Sequence, residues 1–156
     1  MVGTVTFENT TYAPLPMKFE AGTQNFASTT TLKPAIEFAK ILRDTELLKI
    51  SDSITEYISE ELRSMGNVRV FGVPRGTEEN KIPLFSFVVE GVHHEDLALI
   101  LDKMGVAVRS GQMCAEPLMT RYGVTGMLRV SLAPYNTMEE AEYFVECLDR
   151  AIGMLI

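Results

Sequence analysis

Cys114 is the residue of this sequence whose type and neighbours best suit covalent chemistry. It follows Arg109 by five residues, in the glycine-containing segment Arg109-Ser-Gly-Gln-Met-Cys114, and the Glu116-Pro117 pair after it predicts a helix start. Reactive cysteines lie in electropositive surroundings, such as a helix N-terminus or a neighbouring arginine. The segment therefore predicts a nucleophilic or sulfur-accepting cysteine, although a small buried apolar side chain would fit the same spacing.

Arg129 offers a cation for an anionic ligand. It lies in an apolar run over 127–132 that is typical of a strand. A guanidinium held on a rigid strand suits bidentate binding of a carboxylate or a phosphate. Together with Arg109 and Cys114, it predicts an anionic substrate beside a sulfur atom. Taken alone, Arg129 is better explained as a surface arginine whose stem packs on the protein.

Three other features point less specifically to chemistry. The segment 22–25, Gly-Thr-Gln-Asn, could bind a phosphate through Thr23, but it is short and also fits an ordinary turn. His93 and His94 lack further ligands at zinc spacing, so they predict a solvated helix start. Cys147 lies among apolar residues of a predicted helix and is expected in the core.

Composition excludes several classes of protein. The chain has 156 residues, 46% of them apolar and 22% charged, which fits one folded domain. A net charge of −7 without a basic cluster argues against nucleic acid as a partner. No apolar run approaches the roughly 18 residues of a membrane span. The first residues lack a signal-peptide pattern, and the two cysteines predict no disulfide framework, so we expect a cytoplasmic protein.

The periodicity of apolar residues predicts an α/β (α+β) two-layer sandwich, in which helices cover one side of a small sheet. Residues 1–27 are proline-rich and predict an arm ordered by another domain, whereas 28–156 form the small domain. The predicted helices cover 28–42, 45–65, 93–105, 116–121 and 137–156. The predicted strands cover 4–8, 68–71, 82–89, 106–108 and 127–132, with a polar turn at 78–81.

Three sequence blocks resemble a known family. They are Phe19-Glu-Ala-Gly-Thr-Gln-Asn25, Arg109-Ser-Gly-Gln-Met-Cys-Ala-Glu-Pro-Leu-Met119 and Leu128-Arg-Val-Ser-Leu-Ala-Pro-Tyr-Asn-Thr137. In order and spacing they are similar to the C-terminal part of Suf-type cysteine desulfurases, which belong to the class V aminotransferase group of fold-type I pyridoxal 5'-phosphate enzymes. The resemblance covers essentially the whole chain. It implies the C-terminal small domain of that fold, with the arm packed on a large domain.

The resemblance also implies roles for single residues. Cys114 looks like the cysteine that takes sulfur from substrate cysteine as a persulfide, releasing alanine. Arg129 looks like the arginine that binds the substrate carboxylate, and Arg109 has a supporting electrostatic role. Thr23 looks like the threonine that reaches the cofactor phosphate of the other subunit of a homodimer. A sulfur-acceptor protein and iron–sulfur cluster assembly follow as the expected partner and pathway.

Two departures from the family pattern affect these expectations. Gln112 and Met113 stand where two histidines are usual, and neither is a general acid or base, which leaves cysteine and selenocysteine open as substrates. No lysine of the chain has the Ser/His-Lys context of the cofactor lysine, which in the family lies upstream. We therefore expect the chain alone to hold no pyridoxal phosphate and to be catalytically silent.

Other interpretations remain open at this stage. The chain could belong to a selenocysteine lyase or to another class V aminotransferase-like enzyme. It could also be a persulfide carrier or interaction module that uses Cys114 without pyridoxal phosphate. Because an arm without its large domain exposes apolar side chains, self-association or exchange of the arm is also expected.

Overall fold

A computed structural model describes residues 1–43, 45–72 and 82–156, without the side chains of 46–50. The predicted turn at 78–81 lies outside these residues. The chain divides into two compact units, Met1–Ile41 and Leu42–Ile156. The assignment of residues 1–27 to an arm, with 28–156 as the small domain, stays a prediction.

The described residues form six strands and six α-helices. The strands are β1 (Val2–Val5), β2 (Thr10–Tyr12), β3 (Val68–Phe71), β4 (Leu84–Val89), β5 (Arg109–Gly111) and β6 (Met127–Ser131). The helices are α1 (Phe26–Thr29), α2 (Leu32–Arg43), α3 (Glu46–Ser64), α4 (His94–Lys103), α5 (Glu116–Tyr122) and α6 (Met138–Leu155). One turn of 3-10 helix, Met17–Phe19, follows β2.

The first unit is a hairpin followed by helical segments. Strands β1 and β2 pair antiparallel, and the hydroxyl of Thr11 accepts a hydrogen bond of 2.9 Å from the Thr4 amide. No residue of Met1–Ile41 is buried, and large apolar side chains such as Phe19 and Phe26 are exposed. This unit therefore has no hydrophobic core of its own. The self-association expected from the sequence stays a prediction.

The second unit is built on a four-stranded antiparallel sheet of order β3-β4-β6-β5. Phe85, Phe87 and Val89 alternate along β4 and are buried, since side chains of a strand point to opposite faces in turn. They pack with apolar residues of α3, α4 and α6 in one core. The predicted sandwich, with helices over one face of a small sheet, is confirmed.

Helix α6 begins as the sequence predicts. The Thr137 hydroxyl accepts a hydrogen bond from the Glu140 amide, and the Glu140 carboxylate accepts one of 3.0 Å from the Thr137 amide. This capping box satisfies two backbone donors that the first turn would leave without partners. Asn136 adds a bond of 2.9 Å to the same carboxylate, so the loop before α6 is held to the helix.

Three predicted elements are wrong in their bounds. Residues 106–108 form no strand: Val106 and Val108 pack against the core, and sheet pairing begins only at Arg109. The predicted helix over 28–42 is two helices, because the hydroxyls of Thr30 and Thr31 bond to preceding carbonyls at the break between them. The first strand lies at Val2–Val5 rather than over 4–8.

Candidate functional site

Two arginines lie side by side on the face of the sheet opposite the core. Arg109 in β5 and Arg129 in β6 are direct cross-strand partners, and residues opposite each other in antiparallel strands point to the same face. Leu128 and Val130, the neighbours of Arg129, are buried in the core, which places Arg129 on the other face. Arg109 is exposed and Arg129 half-buried. The pair concentrates positive charge at one edge of the sheet.

Arg129 lines a cavity of about 350 Å³ on this face. It is the only Lys, Arg, Asp or Glu among the described lining residues, and the rest of the wall is mainly apolar. In the described part of the chain, the buried Nε of Arg129 has no hydrogen-bond partner. A buried donor without a partner is costly, so this atom indicates a site for an acceptor. The other lining residues are Phe71, Gly72, Ile82, Leu84, Ser86, Met113, Ala115, Leu118, Met119, Tyr122 and Met127.

Cys114 lies in a tight turn at the rim of this cavity. The amide of Ala115 donates a 2.9 Å hydrogen bond to the carbonyl of Gln112, and the two residues between them, Met113 and Cys114, have φ of 56° and 61°. Two positive φ angles at the centre are the pattern of a type I′ turn, which favours asparagine and glycine. For other side chains the left-handed region costs about 1–2 kcal/mol each.

The turn gives its two central side chains different surroundings. Met113 and Ala115 line the cavity beside Arg129, whereas the intervening Cys114 is exposed. Cys114 is therefore not the buried apolar side chain that would also fit the sequence, and its role as a reactive cysteine stays a prediction. An exposed sulfur next to a cationic cavity can attack, or accept an atom from, a ligand held there.

Helix α5 and an aromatic pair form the wall across from the turn. The helix has Pro117 in its first turn and ends at Gly123, whose φ of 70° suits a left-handed C-cap. The rings of Tyr122 and Phe71 lie 4.7 Å apart. Arg69 stacks over Phe71 at 4.7 Å and donates a 3.3 Å bond to the Tyr122 carbonyl. These contacts tie α5 to the edge strand β3.

The remaining candidates from the sequence lie elsewhere. Thr23 belongs to the first unit, where it is exposed in a bend after Gly22, whose φ is 69°. Cys147 is 1% exposed and belongs to the core, as expected. His93 caps α4 by accepting a bond from the Glu95 amide, which agrees with the predicted helix start.

His94 makes a packing contact that the sequence did not indicate. Its ring stacks on that of His93 at 4.4 Å between centroids, and a Cβ added to Gly126 would lie 2.2 Å from its Nε2. Burial, with a smaller effect of His93, lowers the pKa of His94. The neutral imidazole therefore fills the space that glycine leaves at position 126, just before β6.

The described residues limit which groups this chain could hold. Among them, no cluster of three His, Cys, Asp or Glu side chains could bind a metal ion. Pyridoxal phosphate requires a lysine amine and an acid beside its ring nitrogen, and the described lining of the cavity has neither. The cavity by itself does not fit that cofactor. Within the same residues, no helix is long and apolar enough to cross a membrane.

Sequence reasoning missed several residues of this site. Tyr122 and Arg69 carry no signature of chemistry, and their roles depend on contacts between distant segments. Met113 was noted only as a departure from the family pattern, and its place in the cavity wall was not predicted. The position of Met113, between a glycine-containing segment and Cys114, could have indicated a role in placing the cysteine. Its left-handed backbone could not be predicted, because methionine rarely adopts it.

With the fold and the cavity established, comparison with known proteins identifies the class. The sequence profile of the Aminotransferase class-V family matches residues 1–144. The chain belongs to this family.

Within that family, the chain is similar to cysteine desulfurases. It is 41% identical to a probable cysteine desulfurase of Xylella fastidiosa (strain 9a5c), over 99% of this chain and 36% of that protein. It is 35% identical to the cysteine desulfurase CsdA of Escherichia coli (strain K12), over 100% of this chain and 37% of that one. The chain therefore spans little more than a third of the length of these relatives.

Solved structures agree with this similarity. The crystal structure of cysteine desulfurase CsdA (S-sulfonic acid) from Escherichia coli matches with a TM-score of 0.73 and 35% identity, over 100% of this chain and 38% of that one. The apo structure of a cysteine desulfurase from Thermococcus onnurineus NA1 matches with a TM-score of 0.75 and 29% identity, over 99% and 38%. The predicted fold class is thus found in solved members of the family.

Proposed function

We propose that this chain is the C-terminal part of a pyridoxal-phosphate-dependent cysteine desulfurase and that it is inactive alone. The observation that carries the proposal is the placement of an exposed Cys114 between two residues that line the cavity of Arg129. Similarity to cysteine desulfurases over nearly the whole chain supports it. The whole protein would convert L-cysteine to L-alanine and supply sulfur for iron–sulfur cluster assembly through an acceptor protein.

The proposed roles follow the charges and the exposure of the site. Arg129 binds the substrate carboxylate through its guanidinium, whose Nε has no hydrogen-bond partner among the described residues, and Arg109 adds positive charge from the neighbouring strand. Cys114 receives the sulfur. In the overall reaction the C–S bond of the substrate breaks and an S–S bond forms on Cys114. The proton that the Cys114 thiol loses is matched by the proton gained at carbon in the new C–H bond of alanine.

In this proposal the cofactor is held by the part of the enzyme that this chain does not cover. The described lining of the cavity has neither the amine nor the acid that pyridoxal phosphate needs, so the chain itself does not hold the cofactor. Thr23, exposed after a left-handed glycine, would contact the cofactor phosphate of the other subunit of a homodimer. Two free cysteines suit the reducing cytoplasm.

A chimera tests this function directly. The chain would be joined to the part of Escherichia coli CsdA that it does not cover, and L-alanine would be measured after addition of L-cysteine. We expect alanine from the chimera, none above background from the chain alone with added pyridoxal phosphate, and none from the chimera carrying Cys114→Ser. Alanine from the chain alone, or equal alanine from the Cys114→Ser chimera, would contradict the proposal.

A persulfide carrier is the second candidate, because an exposed cysteine lies beside a cavity whose described lining has neither a lysine nor an acidic residue for the cofactor. In that case a separate desulfurase would transfer sulfur to Cys114 of this chain. Mass spectrometry would then find a gain of one sulfur atom on the peptide containing Cys114, and the gain would persist after pyridoxal phosphate is removed from the isolated chain.

A further inference from the structure

We infer that Met113 is a positioning residue, whose side chain anchors the turn in the cavity and so holds Cys114 beside Arg129. This inference rests on the proposed function, because it concerns how the sulfur atom is presented to an anionic ligand. Nothing in the residue type of Met113 suggests such a role. It follows from the backbone and from what each side chain of the turn contacts.

The backbone of the turn needs a compensating interaction. Met113 and Cys114 both adopt the left-handed region without being glycine, in a turn closed by the bond from Ala115 to Gln112. Cys114 is exposed and contributes little packing. Of the two central residues, Met113 lines the cavity and is half-buried, whereas Cys114 is not among the described lining residues. Packing of Met113 in the cavity is therefore the interaction that offsets the free-energy cost of the left-handed backbone.

The anchor has a direct geometric consequence. Gly111 pairs with Met127 at the end of β5, and the turn begins at the next residue, so the chain enters from a fixed ladder. Met113 lines the same cavity as Met119 and Met127, whereas Cys114, the next residue, is exposed. A flexible, polarizable thioether suits such an irregular gap between apolar side chains. Loss of this contact would let the turn relax to ordinary φ angles and move the sulfur.

A pair of alkylating reagents measures this position without any cofactor. Iodoacetate and iodoacetamide both displace iodide with a thiol sulfur and have nearly the same shape, but only iodoacetate carries a carboxylate. The ratio of their rate constants at Cys114, divided by the ratio in the unfolded chain, reports attraction of the anion by the nearby guanidinium groups. We expect this normalised ratio to be about five for the full chain, as for one charge pair near 4 Å in water.

Three variants of Met113 distinguish the effect of its side chain from the effect of its backbone conformation. Met113→Ala should bring the normalised ratio close to one, and Met113→Leu, which restores an apolar side chain of similar size, should keep it within about twofold of the original. Met113→Gly suits the left-handed backbone but has no anchor, so its ratio should also fall. The matched control is Met154→Ala on α6, which should leave the ratio unchanged because Met154 is exposed.

Folding is checked in the same samples, because Cys147 is buried and becomes reactive only when the chain unfolds. An unchanged ratio in Met113→Ala or in Met113→Gly would overturn the positioning role. Arg129→Gln, measured in parallel, distinguishes the positioning role of Met113 from the anion site at Arg129. A ratio lowered by Arg129→Gln but not by Met113→Ala overturns only the role of Met113. A ratio unchanged in both overturns the anion site of the proposed function as well.

Discussion

Arg109 and Arg129 face each other across neighbouring strands, so two guanidinium groups share one face of the sheet. Like charges directly opposite in a sheet are destabilising, and the buried Nε of Arg129 has no partner within the described chain. Such an arrangement is unfavourable for the free chain and favourable once an anion lies between the two groups. This pattern is expected of a binding site rather than of a structural element.

Replacement of Arg129 should therefore separate stability from binding. Arg129→Met is expected to raise the free energy of unfolding by about 0.5 kcal/mol, because it removes the opposed charge and an unsatisfied donor. The same variant should lose the stabilisation that sodium acetate gives over sodium chloride at equal ionic strength. Thermal unfolding of both chains in both salts measures this. Arg150→Gln on α6 is the control, and a stability loss in Arg129→Met alone would contradict the prediction.

Replacement by serine should lower stability much more at Cys147 than at Cys114. Cys147→Ser puts a hydroxyl into the core and should lower the free energy of unfolding by about 1–3 kcal/mol. Cys114→Ser, at an exposed position of a turn, should change it by less than about 0.5 kcal/mol. Urea unfolding followed by circular dichroism compares them. Equal losses from both variants would mean that the turn is part of the cooperative core.

Gly126 should be intolerant of a side chain. A Cβ there would lie 2.2 Å from Nε2 of His94, so Gly126→Ala is expected to cost about 1–3 kcal/mol of unfolding free energy. Gly153 in α6 meets nothing within 4 Å, and Gly153→Ala should stabilise the chain by about 0.5–1 kcal/mol. Combining Gly126→Ala with His94→Ala should remove most of the extra cost if the ring is its cause. A cost that persists in the double variant would place it in the backbone instead.

The loop before α6 should make stability depend on pH. Hydrogen bonds from the Asn136 side chain and from the Thr137 backbone lower the pKa of Glu140. Because the folded pKa lies below the unfolded one, this contribution is fully present above the unfolded pKa and is lost as pH falls through the folded pKa. The difference in unfolding free energy between the original chain and Glu140→Gln should shrink from about pH 7 to about pH 3. Asn136→Ala should reduce that pH dependence, and a constant difference would refute the role of these bonds.

The sequence predicted those parts of the fold that depend on local patterns. Thr137 and Glu140 predicted the start of α6, and the β-prone run around Phe85 and Phe87 predicted β4, although as a strand apolar on both faces and not one with a single buried face. The strand next to Cys114 was placed three residues too early, because Val106 and Val108 are apolar through contact with the core and not through pairing in the sheet. Apolar character alone does not distinguish these two causes.

For the site, residue types predicted the participants but not their arrangement. Arg109, Arg129 and Cys114 were recognised from chemistry and resemblance. In the structure Arg129 lines the cavity together with both neighbours of Cys114, and Arg109 pairs with Arg129 across the strands. The left-handed turn and the contact of Met113 could not be derived, since they arise from tertiary packing that overrides local preference. The position of Thr23 relative to these residues, and its role, stay predictions.

Among the described strands, β5 stands at the end of the sheet order and pairs with β6. The cysteine turn that follows it can consequently accept substitutions, such as glutamine and methionine at 112 and 113, without loss of a hydrogen bond between β4 and β6. Because β5 lies at the edge, the sequence of the cysteine turn can change while the pairing of β4 with β6 keeps Arg129 in register.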